Sequence, residues 1–341
     1  MRRITEPAAG ENGGIAVIVA LLMVVLLGFA AIAVDVGMLY SERAQLQNGS
    51  DSAALMVAQK CAKNADDAIN CSDMSPLAAD LANANALDGK SGVKSISLDK
   101  EGRTVTVTTG AKETGSAPNT VSLFFAKALG IPSAEVTASS SVRWGSPVEG
   151  TSPFPLAFSV CQVSGMVGGA TQLLRNHSAN ANTDCLLGPA GKTVPGGFAW
   201  IVQSSGQCGG LVNLAINQSG SDTGNDGPSN CDAILTKWAG DLAAGRTVTV
   251  LLPVYGDVSG TGAGASYDLV AFASFSVQGW AFSGADKLPL VYANTSSDKT
   301  LDCKGDCRGI IGKFVNYVSL SDGYKIGPVS PYGATVVELT S

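Results

Sequence analysis

Histidine is nearly missing from this sequence: His177 is the only one in 341 residues. Imidazole acid–base catalysis and histidine-rich metal sites lose their usual residue at once. His177 itself sits in the polar stretch "LLRNHSANANTD" and reads as a surface residue. Ser178 and Asp184 are near it only in sequence, which does not make a triad. No G-x-S-x-G elbow, H-E-x-x-H helix, Walker A loop or C-x-x-C pair occurs. A secreted hydrolase therefore has no residue signal behind it, and no enzyme activity, metal or cofactor is expected. Charge is also scarce, at 15% of residues, with a net charge of −6 and no basic run. Without clustered Lys and Arg, a nucleic-acid partner is excluded.

Cysteine and glycine are there instead. Forty-one glycines and eight cysteines suit an extracytoplasmic chain of short strands and turns. Cys61, Cys71, Cys161, Cys185, Cys208, Cys231, Cys303 and Cys307 are disulfide candidates in an oxidising compartment. Many connectivities are open; sequence proximity favours joining them pairwise in chain order. Two loops invite sharper readings and lose them. "DTGNDG" at 222–227 begins like a calcium loop, but Ala233 stands where Glu is needed. "GTGAGA" at 260–265 has strands on both sides, whereas a dinucleotide loop needs a helix after it.

One long apolar run is the strongest feature. Ile15 to Val34 carry no charge. At 1.5 Å per residue they reach about 30 Å, the thickness of a bilayer's hydrocarbon. Their Ile, Val, Leu and Phe residues favour insertion by about 4–8 kcal/mol. A cleavable signal is usually shorter and starts nearer its basic residues, here Arg2 and Arg3. Ala31-Ile32-Ala33 keeps a signal-peptidase cut as the competing reading. Either way the following residues are expected outside the cytoplasm, with the N-terminus inside. Asp35 ends the run, as an interfacial carboxylate or as a charge paired across subunits. Leu39, Leu46, Ala53 and Val57 then form a helical stripe, suited to the chain's own body or to a neighbouring subunit. Gly49 is a weak point, where Ser50 could cap a second helix segment.

The stretch "GGIAVIVALLMVVLLGFAAIAVDVGMLYSERAQLQNGSDSAALMVAQ" resembles the N-terminal segment of TadE/TadG-like proteins of the Flp (tight adherence) pilus-assembly system. The matching positions are Asp35, Gly37, Leu46, Gln47, Asn48, Asp51, Ala53, Ala54 and Leu55. Later, "VSLFFAKALGIPSAEVTASSSVRW" resembles the helix-then-strand unit that often follows in this family, and "GGFAWI", "VLLPVY" and "AFASFSVQGWAF" resemble the C-terminal region of actinobacterial members. Gly13-Gly14 replaces the usual Gly-Ala, and Gly49-Ser50 replaces small alanines. The prepilin cleavage pattern of some relatives is missing, since Ile15 stands five residues after Gly10 where Glu is required. The resemblance implies a single-pass structural protein of the cytoplasmic membrane. Its expected partners are the lipid bilayer, other pilus-assembly or pilin-like subunits, and a second copy through the N-terminal helix. Gly28, Asp35, Gly37, Leu39, Leu46, Asn48, Asp51, Ala53 and Val57 are the helix-packing and assembly candidates. An anchored adhesin or envelope-binding module is the alternative.

The expected fold class is α+β. Residues 1–14 form a cytoplasmic N-terminus, 15–34 a transmembrane helix and 35–61 its helical extension. Residues 62–145 read as a small α-β-β-α-β module. Its helices start at Ser75-Pro76 and at Asn119, the second running to Leu129 with Gly130 ending it. Its hairpin is "VKSISLD" and "RTVTVTT". Residues 146–153, rich in Gly, Ser and Pro, read as a linker. Residues 154–341 read as a β-rich, disulfide-stapled extracytoplasmic domain with one helix, Cys231–Ala244.

Overall fold

The computed structural model describes residues 12–176, 182–216, 218–220, 229–282, 290–320 and 323–340. His177, the loop 222–227 and the N-terminal arginines fall outside them.

A single helix, α1 (Asn12–Lys63), opens the described residues. At 1.5 Å per residue its 52 residues measure about 78 Å. The two halves of α1 behave differently. From 14 to 34 every residue is exposed except Ala31, which is half-covered. From Leu46 the helix buries Gly49, Ser50, Ala53, Ala54, Val57, Ala58 and Cys61. That spacing of three and four is one face of a helix. Its side chains are mostly small, so the backbone can lie close to whatever covers it.

What covers it is first α2 (Pro76–Ala84) and then a sheet. The helix is unbroken at Gly49, contrary to the expected weak point. A Cβ there would lie 3.1 Å from the Ala82 carbonyl oxygen, so glycine marks the crossing of α1 and α2. Ser50 does not cap a new segment; its hydroxyl donates back to the Gln47 carbonyl at 2.9 Å.

The sheet begins with the expected hairpin, β1 (Ser91–Asp99) and β2 (Thr104–Ala111), paired antiparallel from Ser91↔Ala111 to Asp99↔Thr104. The helix expected over 119–129 is mostly not formed. β3 (Thr120–Ser122) pairs with β4 (Ser133–Glu135), and only a 3-10 turn, Ala126–Leu129, remains, closed by Gly130 at φ 86°. Asn119 adopts φ 61° instead of capping, and its carbonyl accepts from the Val136 N–H.

Next is β5 (Thr137–Ser152), sixteen residues long. Its first half pairs with β2. Its second half covers almost all of the expected linker, 146–153, which is therefore strand to Ser152. The glycines that suggested flexibility serve close approach instead. A Cβ on Gly145 would collide with Ile326 and Gly327, and one on Gly150 with Tyr324.

The remaining elements are β6 (Leu156–Ser159), α3 (Val160–Val163), β7 (Gln172–Arg175), β8 (Phe198–Trp200), β9 (Gly210–Asn213), β10 (Gln218–Gly220) and α4 (Asp232–Ala243). They are followed by β11 (Val248–Ser259), β12 (Ser266–Ala281), β13 (Val291–Tyr292), β14 (Gly309–Phe314), β15 (Tyr317–Leu320), β16 (Lys325–Gly327) and β17 (Ala334–Leu339). One sheet has the order β1-β2-β5-β17-β15, with β9 and β16 on the far half of β5. The other has β7-β14-β12-β11-β6-β8, with β10 and β13 on β12. Thus β17, from the end of the chain, pairs with the strand that follows the first hairpin. The residues at 260–265 sit at the tip of the β11–β12 hairpin, between strands as expected.

The second sheet holds an aromatic core. Phe154 packs on Trp200, Trp238 and Phe282, and Phe158 on Phe275 and Phe314. All eight cysteines are oxidised: Cys61–Cys71, Cys161–Cys185, Cys208–Cys231 and Cys303–Cys307. The class is α+β: an apolar helix followed by mostly β structure with four disulfides.

Candidate functional site

The part of the molecule with most built into it is the junction where α1 leaves its apolar run and meets the body. It is held at successive levels along the helix.

At the first level is Asp35, only 3% exposed although it follows directly on twenty apolar residues. Its carboxylate accepts from three consecutive backbone amides. Phe124 N–H donates to Oδ1 at 3.0 Å, Phe125 N–H to Oδ2 at 3.0 Å and Ala126 N–H to Oδ2 at 2.6 Å. These amides open the Ala126–Leu129 turn, whose own backbone leaves them without acceptors. Burial alone would raise the Asp35 pKa, but donation from Ala126, Phe125 and Phe124 outweighs it and holds the carboxyl below its ordinary value. Asp35 thus does more than end the apolar run. It is tied within its own chain.

Ten residues on, the Gln45 side chain accepts from the Leu87 N–H at 2.6 Å. The buried Thr109 hydroxyl of β2 donates to the Leu46 carbonyl at 2.8 Å. Gln47 donates to Asp51 Oδ1 at 2.8 Å, an i,i+4 bond on the helix surface. Between these levels lies Glu42. Burial raises its pKa, as do the nearby charges of Asp88 and Glu113, while Lys90 acts the other way.

The buried stripe follows. Ala53, Ala54, Val57 and Ala58 pack with Val105, Val107, Val142, Trp144 and Val337, contributed by β2, β5 and β17. Leu46 packs with Ala111, Val136 and Ala138, with Leu39 at the edge. The last turn is fastened by Cys61–Cys71.

The sequence-derived candidates therefore divide. Leu46, Ala53 and Val57 are fully buried against the chain's own sheet, and Leu39 partly so. Residues of the chain's own body, Val105, Val107 and Val142 among them, pack on the face these four share. Gly28, Gly37 and Asn48 are exposed, with no atom within 4 Å of a Cβ placed on either glycine. Asp51 is half-buried. Thr109 and the amides of 124–126 escaped sequence reasoning. Asp35 lies 89 to 91 residues from those amides, and only its odd position beside an apolar run hinted at a partner.

No group of three or more His, Cys, Asp and Glu suited to a metal occurs among the described residues. Asp184, once set beside His177, instead accepts from the Gly196 N–H at 3.1 Å. A polar cleft of about 870 Å³ opens between α2 and the β1–β2 hairpin, lined by Asp80, Lys90, Lys112, Glu113 and Asn119 among others.

Residues 13–60 match the family model described as putative Flp pilus-assembly TadE/G-like. No curated protein and no solved structure matches the chain. The matched segment begins just before the apolar run and ends one residue short of Cys61, so it coincides with α1.

Proposed function

From a TadE/G-like pilus-assembly segment that is also one unbroken helix, we propose a membrane-anchored structural component of a Flp/Tad-type pilus-assembly or secretion apparatus. Residues 15–34 cross the cytoplasmic membrane with the N-terminus inside. The disulfide-bonded body stands outside, in the oxidising space its cysteines require. The protein works by protein–protein contact and not by catalysis.

The observation that carries this reading is the division of α1. The half that meets lipid is bare, and the half beyond it is bonded to the body from Asp35 to Cys61. A helix fixed in this way passes any displacement of the span directly to the body. The faces left for partners lie on the span and just beyond it. Gly28, Ala30, Ala33 and Gly37 are exposed and small, the residue types that let membrane helices approach closely.

Photo-crosslinkers at Gly28 and Gly37, introduced into the full chain in native membranes, test this. Capture of pilus-assembly subunits, or of a second copy, is the expected outcome. A deletion strain with unchanged piliation would sink the proposal. The polar cleft beside α2 favours the second reading, an anchored adhesin or envelope-binding module. Capture of envelope polymer through the body alone would select it.

A further inference from the structure

The turn that Asp35 holds carries the most conspicuous apolar surface on the body. In "FFAKALGI", residues 124–131, Phe124 is 78% exposed and Leu129 is 75% exposed. Phe125 and Ile131 are exposed as well, and Lys127 stands among them. Four large apolar side chains within eight residues of a short turn are a patch, not the scattered exposure common on protein surfaces.

Its place is fixed. The three amides that open the turn are bonded to Asp35, the residue immediately after the apolar run. Ala31, one helical turn earlier on the face that carries Asp35, is the only described residue of 14–34 that is not exposed. The bonds to Asp35 therefore bring the turn to the end of the run itself. A loop held at that height lies at the boundary between headgroups and hydrocarbon. Exposed Phe and Leu beside a lysine suit that depth: the apolar side chains enter the acyl boundary and the ammonium reaches toward phosphate.

We propose that residues 124–131 form a second membrane contact, a wedge that dips into the outer interface of the bilayer beside the span, with acyl chains and anionic headgroups as its ligand. This rests on the anchor reading of residues 15–34. The patch adjoins the end of that span through Asp35, whose neighbours Val34 and Val36 are exposed, which is why lipid and not another protein is its occupant. Two attachments, joined through Asp35, fix the body's tilt on the membrane as a single helix cannot.

Depth-dependent quenching in the full chain tests the proposal. Phe29→Trp reports the span, Phe124→Trp the loop, and Leu87→Trp an exposed point of the body bonded ten residues farther along α1. The four native tryptophans are buried in the body and give all three the same background. Each variant is reconstituted in phosphatidylcholine–phosphatidylglycerol vesicles, with or without bromine on the acyl chains. Bromine should remove about half of the added emission at positions 29 and 124, as for rings seated at the acyl boundary, and none at 87. If position 29 is quenched and 124 behaves like 87, the wedge is overturned while the anchor stands. If position 29 is itself unquenched, the anchor fails and the wedge with it. If 124 escapes both bromine and aqueous iodide, a second copy covers the loop, and the lipid proposal is equally overturned.

Discussion

The two halves of α1 share one backbone conformation and have opposite fates. Residues 15–34 are by far the more hydrophobic, yet they are bare. Residues 46–61 are modest in comparison, a run of Leu, Gly, Ser, Ala, Val and Cys broken by polar residues, yet they form the centre of a core. Apolarity on all sides gives a helix no preferred face and suits a uniform solvent such as lipid. Apolarity confined to one stripe of small residues gives a helix one face and a short approach distance, which suits a sheet. Burial within the chain here follows pattern and shape more than total hydrophobicity.

The most forceful way to break this comparison is to empty the sheet beneath the docked half. Trp144, 3% exposed, lies under α1 among the valines. Trp144→Ala should cost about 3–5 kcal/mol, through lost burial and the cavity left behind. Thermal unfolding of the detergent-solubilised chain would show it as a large drop in Tm. A drop no larger than that of a surface substitution would mean that α1 is not docked as described.

A smaller effect is expected at the boundary between the halves. Because the Asp35 pKa is depressed in the folded protein, its contribution is complete above the unfolded carboxylate value and is lost as pH falls through the folded one. Amide exchange at Phe124, Phe125 and Ala126 should therefore quicken on acidification below about pH 4, once intrinsic rates are corrected. Asp35→Asn should quicken it at every pH and remove the acid step. An unchanged acid step in Asp35→Asn would assign the titration to another group.

The smallest effect belongs to the bare half. Leu22 is exposed, in a stretch where every residue from 14 to 34 except Ala31 is exposed. Leu22→Ala should alter the body's unfolding free energy by no more than about 0.5 kcal/mol. A loss comparable to that of Trp144→Ala would show that the run is part of the chain's core after all.

Much of the fold was legible because it is written in local pattern. The β1–β2 hairpin follows from alternation around a turn, and α4 from Leu235 and Trp238 on one face. What was not legible is where distant segments approach. Gly49, Gly145 and Gly150 read as weak points or linker because composition cannot tell a flexible glycine from one over which another chain segment passes. The expected helix at 119–129 gave way for a related reason: its amides are taken by Asp35, far away in sequence.

At the candidate site, Asp35 was visible as a charge out of place, but its partners are main-chain groups that any residue type could supply. The stripe at Leu46, Ala53 and Val57 was also visible, while its occupant was not, since a neighbouring helix and the chain's own sheet ask for the same spacing.

The sequence alone determined that this protein would carry a helix able to cross a bilayer, because hydrophobicity over twenty residues is a sum that no folding partner can change. It also determined that the body would be β-rich and stapled, since alternation and cysteine placement act locally. Only the tertiary structure decided that the helix runs on unbroken, that its second half is occupied by the chain itself, and that an aromatic turn is tied to the residue that ends the apolar run. Those outcomes depend on which distant surfaces meet, and that is settled by packing and by amides seeking acceptors, not by any one segment.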